Sequence, residues 1–320
     1  MIRTGIFGAN PRSKRHIENL KQIPGFTIAG IYDPDPGIAG KASRDLDIPP
    51  FTSPGSLIQR SDAIVFELPV ELHYEILIPI LTSSKHLFIN YPVCFSLEKL
   101  SHMSKLANEA NIILQVGNHE RFHPALQPVI STLKKPVFIE IVRNVGPDRH
   151  REGEVLFEEF LIRDIDMVFY LNKSNVQRVS AIGVPLRSDL TDLVNTRLEF
   201  DNGCVANITV NMYCGTDNLV CQVFQKSEWF RIDLGQNAVM RHILKDHKQP
   251  ESLSEECLRD ETILKTEALP TPPYDPLHEL KVFRDSIVRL QAPPVGIDHA
   301  FYAAKITREI LGKLLKNAQS

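Results

Sequence analysis

The N-terminal third of the chain alternates between short apolar runs and amphipathic runs, and this alternation restricts the fold more than any other feature of the sequence. The apolar runs predict buried strands, and the amphipathic runs between them predict helices. The predicted strands are Ile2–Gly8, Phe26–Tyr32, Asp62–Leu68, His86–Ile89 and Ile112–Gly117, and the predicted helices are Lys14–Gln22, His73–Leu81 and Leu97–Asn111. Strands joined by helices build a parallel sheet. We therefore expect Ile2–Phe7 to be an interior strand of such a sheet.

Beyond His119 the runs become longer and richer in strand-forming residues, which favours an antiparallel sheet. The predicted strands are Val137–Asn144, Val176–Val184, Thr196–Phe200, Val205–Tyr213, Val220–Gln225 and Trp229–Leu234. The Asn202-Gly203 dipeptide predicts a tight hairpin. One helix is predicted at about Val155–Leu171, and two more, at about Pro276–Arg289 and Asp298–Lys316, follow a proline-rich break that helices do not cross.

The fold class predicted from these patterns is α/β, with an N-terminal Rossmann-type, doubly wound parallel sheet and a C-terminal α+β domain whose sheet is mostly antiparallel. The first domain is expected at residues 1–118 and the second at 119–275. Residues 276–320 are expected to form C-terminal helices, the last of which packs back on the N-terminal domain. A chain of 320 residues is long enough for two domains that each bury a core.

The composition of the chain argues against nucleic acid, a membrane or zinc as a partner. The formal net charge is -3, so the chain lacks the basic excess expected of a protein that binds nucleic acid or an anionic membrane. Its five cysteines form no C-x-x-C pair, which favours a reduced protein without a zinc site. The start of the sequence resembles a buried strand and not a signal peptide. We therefore expect a cytoplasmic protein with no membrane partner and no metal.

A dinucleotide site is expected where the first strand meets the first helix, because a helix N-terminus offers free N–H groups and a partial positive charge to a pyrophosphate. The Rossmann fingerprint G-x-G-x-x-G aligns here with Gly8-Ala9-Asn10-Pro11-Arg12-Ser13. Only the first glycine is kept, so Asn10 and Ser13 add side chains where the fingerprint has bare backbone. We therefore expect a dinucleotide to bind weakly, if it binds at all. Arg12 could hold a phosphate through its side chain, or it could simply belong to a solvated basic helix start.

Asp33 closes the second predicted strand, where the fingerprint has an acidic residue that accepts hydrogen bonds from the ribose hydroxyls. This position favours NAD over NADP. The alternative is that Asp33 starts a turn in Asp33-Pro34-Asp35-Pro36.

Several ordered segments carry a family resemblance. The segment 85–92, Lys-His-Leu-Phe-Ile-Asn-Tyr-Pro, resembles K-H-V-L-V-E-K-P, and the segment 159–166 resembles D-L-x-I-H-D-I-D. Segments 68–75, 116–125 and 197–207 resemble V-P-T-x-x-H-Y-E, V-G-H-x-E-R-F-N-P-A and R-I-E-F-E-N-G-C-V-A-N. By these motifs the chain resembles the glucose-fructose oxidoreductase, inositol dehydrogenase and rhizopine catabolism (Gfo/Idh/MocA) family, and its nucleotide-sugar dehydrogenases in particular.

The resemblance implies a cofactor, a ligand and a set of site residues. It implies NAD or NADP, no metal, a sugar or nucleotide-sugar ligand, and a homodimer or higher homo-oligomer. The implied cofactor-binding residues are Gly8, Asn10, Arg12, Ser13, Asp33, Pro69, His73, Asn90 and Pro92. The implied catalytic positions are Tyr91, Glu159 and Arg163, where the family motifs have a lysine between nicotinamide and substrate and an aspartate and a histidine that handle the substrate proton.

The residues at the implied catalytic positions are poorly suited to proton transfer. Arg163 cannot give up its proton, and it lies four residues after Glu159 on the predicted helix, so the two can form an ion pair. Tyr91 could act as an acid, or as a base only if a neighbouring cation lowered its pKa strongly. Arg149 and His150 precede the helix, in a loop that approaches the substrate in relatives or is simply solvated.

Two functions remain open from the sequence. The first is an NAD(P)-dependent dehydrogenase in which Tyr91 replaces the lysine and Glu159 serves as base. The second is a non-catalytic ligand-binding or assembly protein on the same fold. Loss of acid or base chemistry alone typically costs about 10² to 10⁴ in rate.

Overall fold

The computed structural model describes residues 1–146, 155–186, 191–244 and 264–317. The chain divides into two compact units, one made of Met1–His119 and Asp275–Lys305 and the other of Glu120–Tyr274 and Ile306–Ser320. Arg149 and His150 lie outside the described residues.

The first unit is built on a six-stranded parallel sheet with strand order β3-β2-β1-β4-β5-β6. Its strands are β1 (Ile2–Phe7), β2 (Phe26–Tyr32), β3 (Pro50–Phe51), β4 (Ala63–Phe66), β5 (His86–Asn90) and β6 (Leu114–Gly117). Its helices are α1 (Pro11–Gln22), α2 (Pro36–Leu46), α3 (Pro54–Arg60), α4 (His73–Thr82), α5 (Leu97–Glu109) and α8 (His278–Arg289). Because β1 pairs with β2 on one side and with β4 on the other, the prediction of an interior first strand is confirmed.

The core of this unit explains the apolar runs. Ile6, Val65 and Phe88 point from neighbouring strands to one face of the sheet, which is covered by α1 and α8. Phe283 of α8 packs there, with its ring 5.7 Å from that of Phe88. Burying such large apolar side chains supplies the main driving force for folding. The strand order reverses between β1 and β4, so their carboxyl ends form the crevice where ligands bind in sheets of this type.

The second unit is built on an eight-stranded sheet with strand order β14-β13-β12-β11-β7-β10-β9-β8. Its strands are β7 (Pro136–Asn144), β8 (Val176–Val184), β9 (Leu193–Phe200), β10 (Val205–Asn211), β11 (Asn218–Gln225), β12 (Glu228–Asp233), β13 (Ala238–Leu244) and β14 (Leu264–Leu269). Its helices are α6 (Gln127–Ile130) and α7 (Val155–Leu171). Among the strands that the structure describes, the pairing of β7 with β10 alone is parallel, so the prediction of a mostly antiparallel sheet is confirmed.

Two local features of this sheet follow directly from the sequence. The hairpin between β9 and β10 closes at Asn202-Gly203, and Gly203 adopts a φ of +83°, as the dipeptide predicts. Helix α7 packs on β7 and β10 through a buried face that includes Leu161 and Ile165. This packing also directs Asp164 of α7 towards Arg143 of β7.

The last helix, α9 (Ile297–Asn317), begins in the first unit and ends in the second. Several elements were not predicted from the sequence, namely α2, β3, α3, α6, β13 and β14. Within the described ranges, no helix is long and apolar enough to cross a membrane.

Candidate functional site

Gly8 is placed as the first glycine of the fingerprint requires. Its φ is +98°, and a Cβ at this position would lie 2.7 Å from the carbonyl oxygen of Glu67. Its N–H donates to the carbonyl oxygen of Tyr32 at 2.8 Å, which ties the end of β1 to β2. The turn into α1 therefore needs glycine for backbone reasons, independent of any ligand.

Asn10 is the N-cap of α1, and this role changes what the helix N-terminus can bind. The Oδ1 atom of Asn10 accepts hydrogen bonds from the backbone N–H groups of Arg12 at 2.9 Å and Ser13 at 3.0 Å. The Nδ2 atom of Asn10 donates to the carbonyl oxygen of Glu67 at 2.6 Å. The N–H groups of the first helical turn are those that a pyrophosphate would use. In this chain they are satisfied by the side chain of the cap.

Ser13 and the basic residues near the start of α1 differ in exposure, and phosphate binding by Arg12 stays a prediction. Ser13 is buried, and its hydroxyl also lies within hydrogen-bond reach of Asn10, at 3.3 Å. Arg12 is exposed on the first turn of α1, together with Lys14 and Arg15.

The carboxylate of Asp33 binds two backbone N–H groups at the edge of the crevice. Its Oδ2 accepts a hydrogen bond from the N–H of Ala9 at 2.9 Å, and its Oδ1 accepts one from the N–H of Asp35 at 3.0 Å. The carboxylate therefore joins the turn after β1 to the turn after β2, as the turn interpretation requires. Binding of a ribose by Asp33 stays a prediction.

Glu67 was not predicted as a site residue, although it lies in the crevice. It follows β4 directly and is only 6% exposed. Its Oε1 accepts a hydrogen bond from Nδ2 of Asn90 and lies 3.0 Å from Nε2 of His16. His16 and Asn90 also contact each other at 3.3 Å. A carboxylate that closes an otherwise apolar strand at the ligand-binding edge was a signal available in the sequence.

His73 and Pro69 lie beside this crevice. The two ring nitrogens of His73 contact the carbonyl oxygens of Val93 at 2.8 Å and Leu68 at 2.7 Å. Burial lowers the pKa of His73 below its ordinary value, although both carbonyl contacts oppose the shift. The imidazole therefore lies between the segment after β4 and the segment after β5, and in its neutral form it donates to one of the two carbonyl oxygens. Pro69 is exposed at the start of a short 3₁₀ turn.

Tyr91 and Pro92 follow Asn90 at the end of β5. Tyr91 is 1% exposed, and its N–H donates to the carbonyl oxygen of Gly117 at 3.2 Å. The Tyr91–Pro92 peptide bond is cis. The Tyr91 side chain is enclosed by protein at the end of β5. That Tyr91 meets Glu159 and Arg163 stays a prediction.

In the second unit, Glu159 and Arg163 form the ion pair that their spacing predicts. Nη2 of Arg163 lies 2.9 Å from Oε1 of Glu159, and Nη1 lies 4.0 Å from Oε2 of Glu120. The Arg163 side chain is 10% exposed and that of Glu159 is 25% exposed. The guanidinium of Arg163 therefore lies near two carboxylates, that of Glu159 on the same helix and that of Glu120.

This pair continues into a larger buried network. Arg143 of β7 donates to Asp164 through Nε at 2.9 Å and lies 3.1 Å from Glu120 through Nη2. Burial disfavours the charge on Arg143, but Asp164 and Glu120 outweigh it and raise the pKa above its ordinary value. The sequence contained one signal for this network, because Arg143 occupies an inward position on the strand that carries Ile139 and Ile141.

Asp166 is equally buried and pairs with Arg121 at 3.0 Å. Arg121 also stacks over the ring of Tyr170, 4.5 Å from its centroid. Asp166 therefore ties α7 to the segment that carries Arg121. Among the described residues, no three His, Cys, Asp or Glu side chains are grouped to hold a metal ion.

The doubly wound parallel sheet, with a crevice where its strand order reverses, identifies the first unit as a Rossmann-type α/β fold. Residues 2–118 match the family described as "Oxidoreductase family, NAD-binding Rossmann fold". Through these residues the chain matches the Gfo/Idh/MocA oxidoreductase family.

Relatives support this assignment along more of the chain. The chain is 22% identical over 240 residues to UDP-N-acetylglucosamine 3-dehydrogenase of Acidithiobacillus ferrooxidans, covering 74% of this chain and 76% of that protein. It is 25% identical over 228 residues to scyllo-inositol 2-dehydrogenase (NAD(+)) of Bacillus subtilis, covering 65% and 66%. The solved structure of the Acidithiobacillus ferrooxidans enzyme has the same fold, with a TM-score of 0.88 at 19% identity over 100% of this chain and 99% of that chain.

The family is described as NAD-binding, and the residues of the crevice differ in how well they fit a dinucleotide. Gly8 fits, since it keeps the tight turn after β1. Asn10 does not fit, because its side chain already accepts the hydrogen bonds of the first helical turn. Glu67 does not fit either, because it places a buried carboxylate beside α1. As they are arranged here, these residues do not fit a pyrophosphate.

Proposed function

We propose that this protein keeps the ligand-binding frame of its family and binds a sugar or nucleotide-sugar derivative without transferring hydride. The observation that carries the proposal is the 2.9 Å ion pair between Arg163 and Glu159. By resemblance these positions handle the substrate proton, which requires a group that can release and accept it. An arginine remains protonated, and here it also balances the carboxylate that would be the base.

The cofactor side of the crevice supports the same proposal. If NAD or NADP binds at all, it binds weakly, because a phosphate must displace Asn10 from the N–H groups of Arg12 and Ser13. Asp33 at the end of β2 favours NAD over NADP. A lost phosphate cradle corresponds to roughly 1 to 3 kcal/mol of binding free energy.

The test is a pair of measurements on the natural protein. Calorimetric titration with NADH, NADPH and a UDP-linked amino sugar measures binding, and NAD⁺ reduction with the same sugar measures turnover. We expect heat on adding the sugar, a NADH dissociation constant well above about 1 μM, and no turnover. Turnover near an ordinary dehydrogenase rate, about 1 to 10 per second, would overturn the proposal.

The second candidate is an NAD(P)-dependent dehydrogenase of a sugar or nucleotide sugar. It is supported by the similarity to UDP-N-acetylglucosamine 3-dehydrogenase over 74% of the chain. It is also supported by the retained backbone geometry at Gly8. In this case Tyr91 or Glu159 would have to handle the proton, and the turnover measurement decides between the two functions.

The partners and location are also proposals. We infer a cytoplasmic homodimer or higher homo-oligomer that binds no nucleic acid. Supporting it, half-buried rings of the eight-stranded sheet stack across strands, with Trp229 centred 6.0 Å from Phe224 and 4.6 Å from His242. Sedimentation of a Trp229→Arg variant tests this surface, and an unchanged oligomeric state would rule it out as the subunit contact.

We propose that each of the three predicted regions of the chain has its own role. Residues 1–118 would hold the dinucleotide crevice, residues 119–275 the ligand and the subunit contacts, and residues 276–320 the C-terminal helices. The compact unit of Met1–His119 with Asp275–Lys305 supports the first boundary.

A further inference from the structure

The carboxylate of Glu67 has no part in the site as the sequence predicts it, yet it is buried at the switch point of the sheet. Alternation along β4 puts its side chain on the same face as Ala63 and Val65, which is the face that α1 covers. Removing a carboxylate from water is costly unless partners compensate for the lost hydration. The burial of Glu67 therefore requires dedicated partners.

Those partners are His16 and Asn90. His16 reaches Glu67 from α1 at 3.0 Å, and Asn90 donates to it from the end of β5. Asn90 can occupy this position because β6 has Gly117 opposite it, where a Cβ would collide with the Asn90 side chain. The arrangement is thus built from two strands and a helix, and it does not depend on a flexible surface group.

The backbone of Glu67 takes part as well. Its carbonyl oxygen accepts from Nδ2 of Asn10, whose Oδ1 caps α1. One residue therefore joins the helix cap through its carbonyl and the flank of the helix through its carboxylate. A continuous set of hydrogen bonds crosses the crevice from the start of α1 to the end of β5.

We propose that Glu67 is the residue that excludes dinucleotides from this crevice. The inference rests on the proposed function, in which NAD binds weakly. A pyrophosphate at the start of α1 would bring negative charge beside a carboxylate that cannot turn away without breaking its contacts to His16 and Asn90. Like charges repel more strongly in a partly buried site than in water. The charge of Glu67 therefore opposes dinucleotide binding more than the missing glycines do.

The experiment compares NADH binding by calorimetry in the full-length protein and four variants. Glu67→Gln removes the charge and keeps the size, and Glu67→Ala removes both. The double variant Asn10→Gly with Ser13→Gly restores the glycines, and Glu71→Ala removes an exposed carboxylate four residues away as a matched control. We expect each Glu67 variant to bind NADH at least about tenfold more tightly than the natural protein and more tightly than the glycine variant, and we expect the control to be unchanged.

The outcomes separate this inference from the proposed function. Tight NADH binding by the natural protein would overturn both. Weak binding by the natural protein, with a gain only in the glycine variant or in no variant, would overturn the inference alone. A gain in Glu67→Ala without one in Glu67→Gln would assign the exclusion to the volume of the side chain and overturn the charge argument. Thermal unfolding followed by circular dichroism shows that each variant is folded, and Glu67→Gln keeps both neighbours within hydrogen-bond reach.

Discussion

Nη2 of Arg163 lies 2.9 Å from Oε1 of Glu159, one turn earlier on α7. The same guanidinium lies 4.0 Å from Glu120, which also contacts Arg143 at 3.1 Å. The pair is therefore the outer end of a buried network and not an isolated surface contact. Removing one member leaves a partly buried charge without its neighbour, which costs more than an exposed pair contributes.

The first prediction concerns the strength of this pair. We expect Arg163→Gln to lower the free energy of unfolding by about 1 to 3 kcal/mol, and Glu159→Gln by less, because Arg163 also neutralises Glu120. A double-mutant cycle in urea should give a coupling energy of about 1 kcal/mol. The control is the i,i+4 pair of Lys105 and Glu109, which is largely exposed and should couple by less than about 0.5 kcal/mol. Equal coupling in the two cycles would contradict the buried character of the network.

The second prediction concerns restoration of the family residues. A variant with Tyr91→Lys, Glu159→Asp and Arg163→His should gain little NAD⁺ reduction with UDP-linked amino sugars, because proton transfer and cofactor placement are needed in the same step. Adding Asn10→Gly and Ser13→Gly should raise the rate above that of the three-site variant. The two-site glycine variant is the control. Full turnover by the three-site variant would show that the phosphate loop was never limiting.

Sequence patterns predicted the features that depend on local order. The interior position of Ile2–Phe7, the Asn202-Gly203 hairpin and the Glu159–Arg163 pair follow from periodicity, turn chemistry and helical spacing. Helix α2 was missed although Asp35 and Pro36 form its N-cap and first position, a signature that was interpreted as a turn. Strand β14 was missed because most of its residues are exposed, so apolar alternation is weak.

The site was less predictable because its contacts join residues that are distant in sequence. Glu67 meets His16 and Asn90, and Arg143 meets Glu120 and Asp164. In the sequence, a buried charge can be recognised only as a charged residue at an inward position. That pattern does not show which residue pairs with it. The N-cap role of Asn10 was missed for a different reason. The fingerprint alignment places Asn10 at a glycine position, so its side chain was considered as an obstacle to the dinucleotide and not as a helix cap.

The third prediction concerns Gly8. We expect Gly8→Ala to lower the free energy of unfolding by about 1 to 3 kcal/mol even without a ligand, because φ is +98° and the added Cβ would meet backbone atoms of Glu67. Gly312→Ala is the control. Gly312 lies in α9 with no atom near an added Cβ, so alanine there should stabilise by up to about 1 kcal/mol. Urea unfolding measures both, and a neutral Gly8→Ala would mean that the turn after β1 can relax.

The fourth prediction concerns pH and Glu158 of α7. Burial raises the pKa of the Glu158 carboxyl to about 7 from an ordinary 4.5, although Arg308 of α9 partly offsets the shift. Between these values the unfolded chain loses the proton while the folded chain keeps it, so stability falls as pH rises from about 4.5 to about 7 and the penalty is complete above that. Glu158→Gln should therefore be more stable than the natural protein at about pH 8, by about 1 kcal/mol once its partial exposure is allowed for. The difference should shrink towards pH 5 in urea unfolding curves.

Glu18→Gln, at an exposed position of α1, controls for the change in net charge. A Glu158→Gln effect that stays constant across this range would show that the carboxyl is solvated in the folded protein.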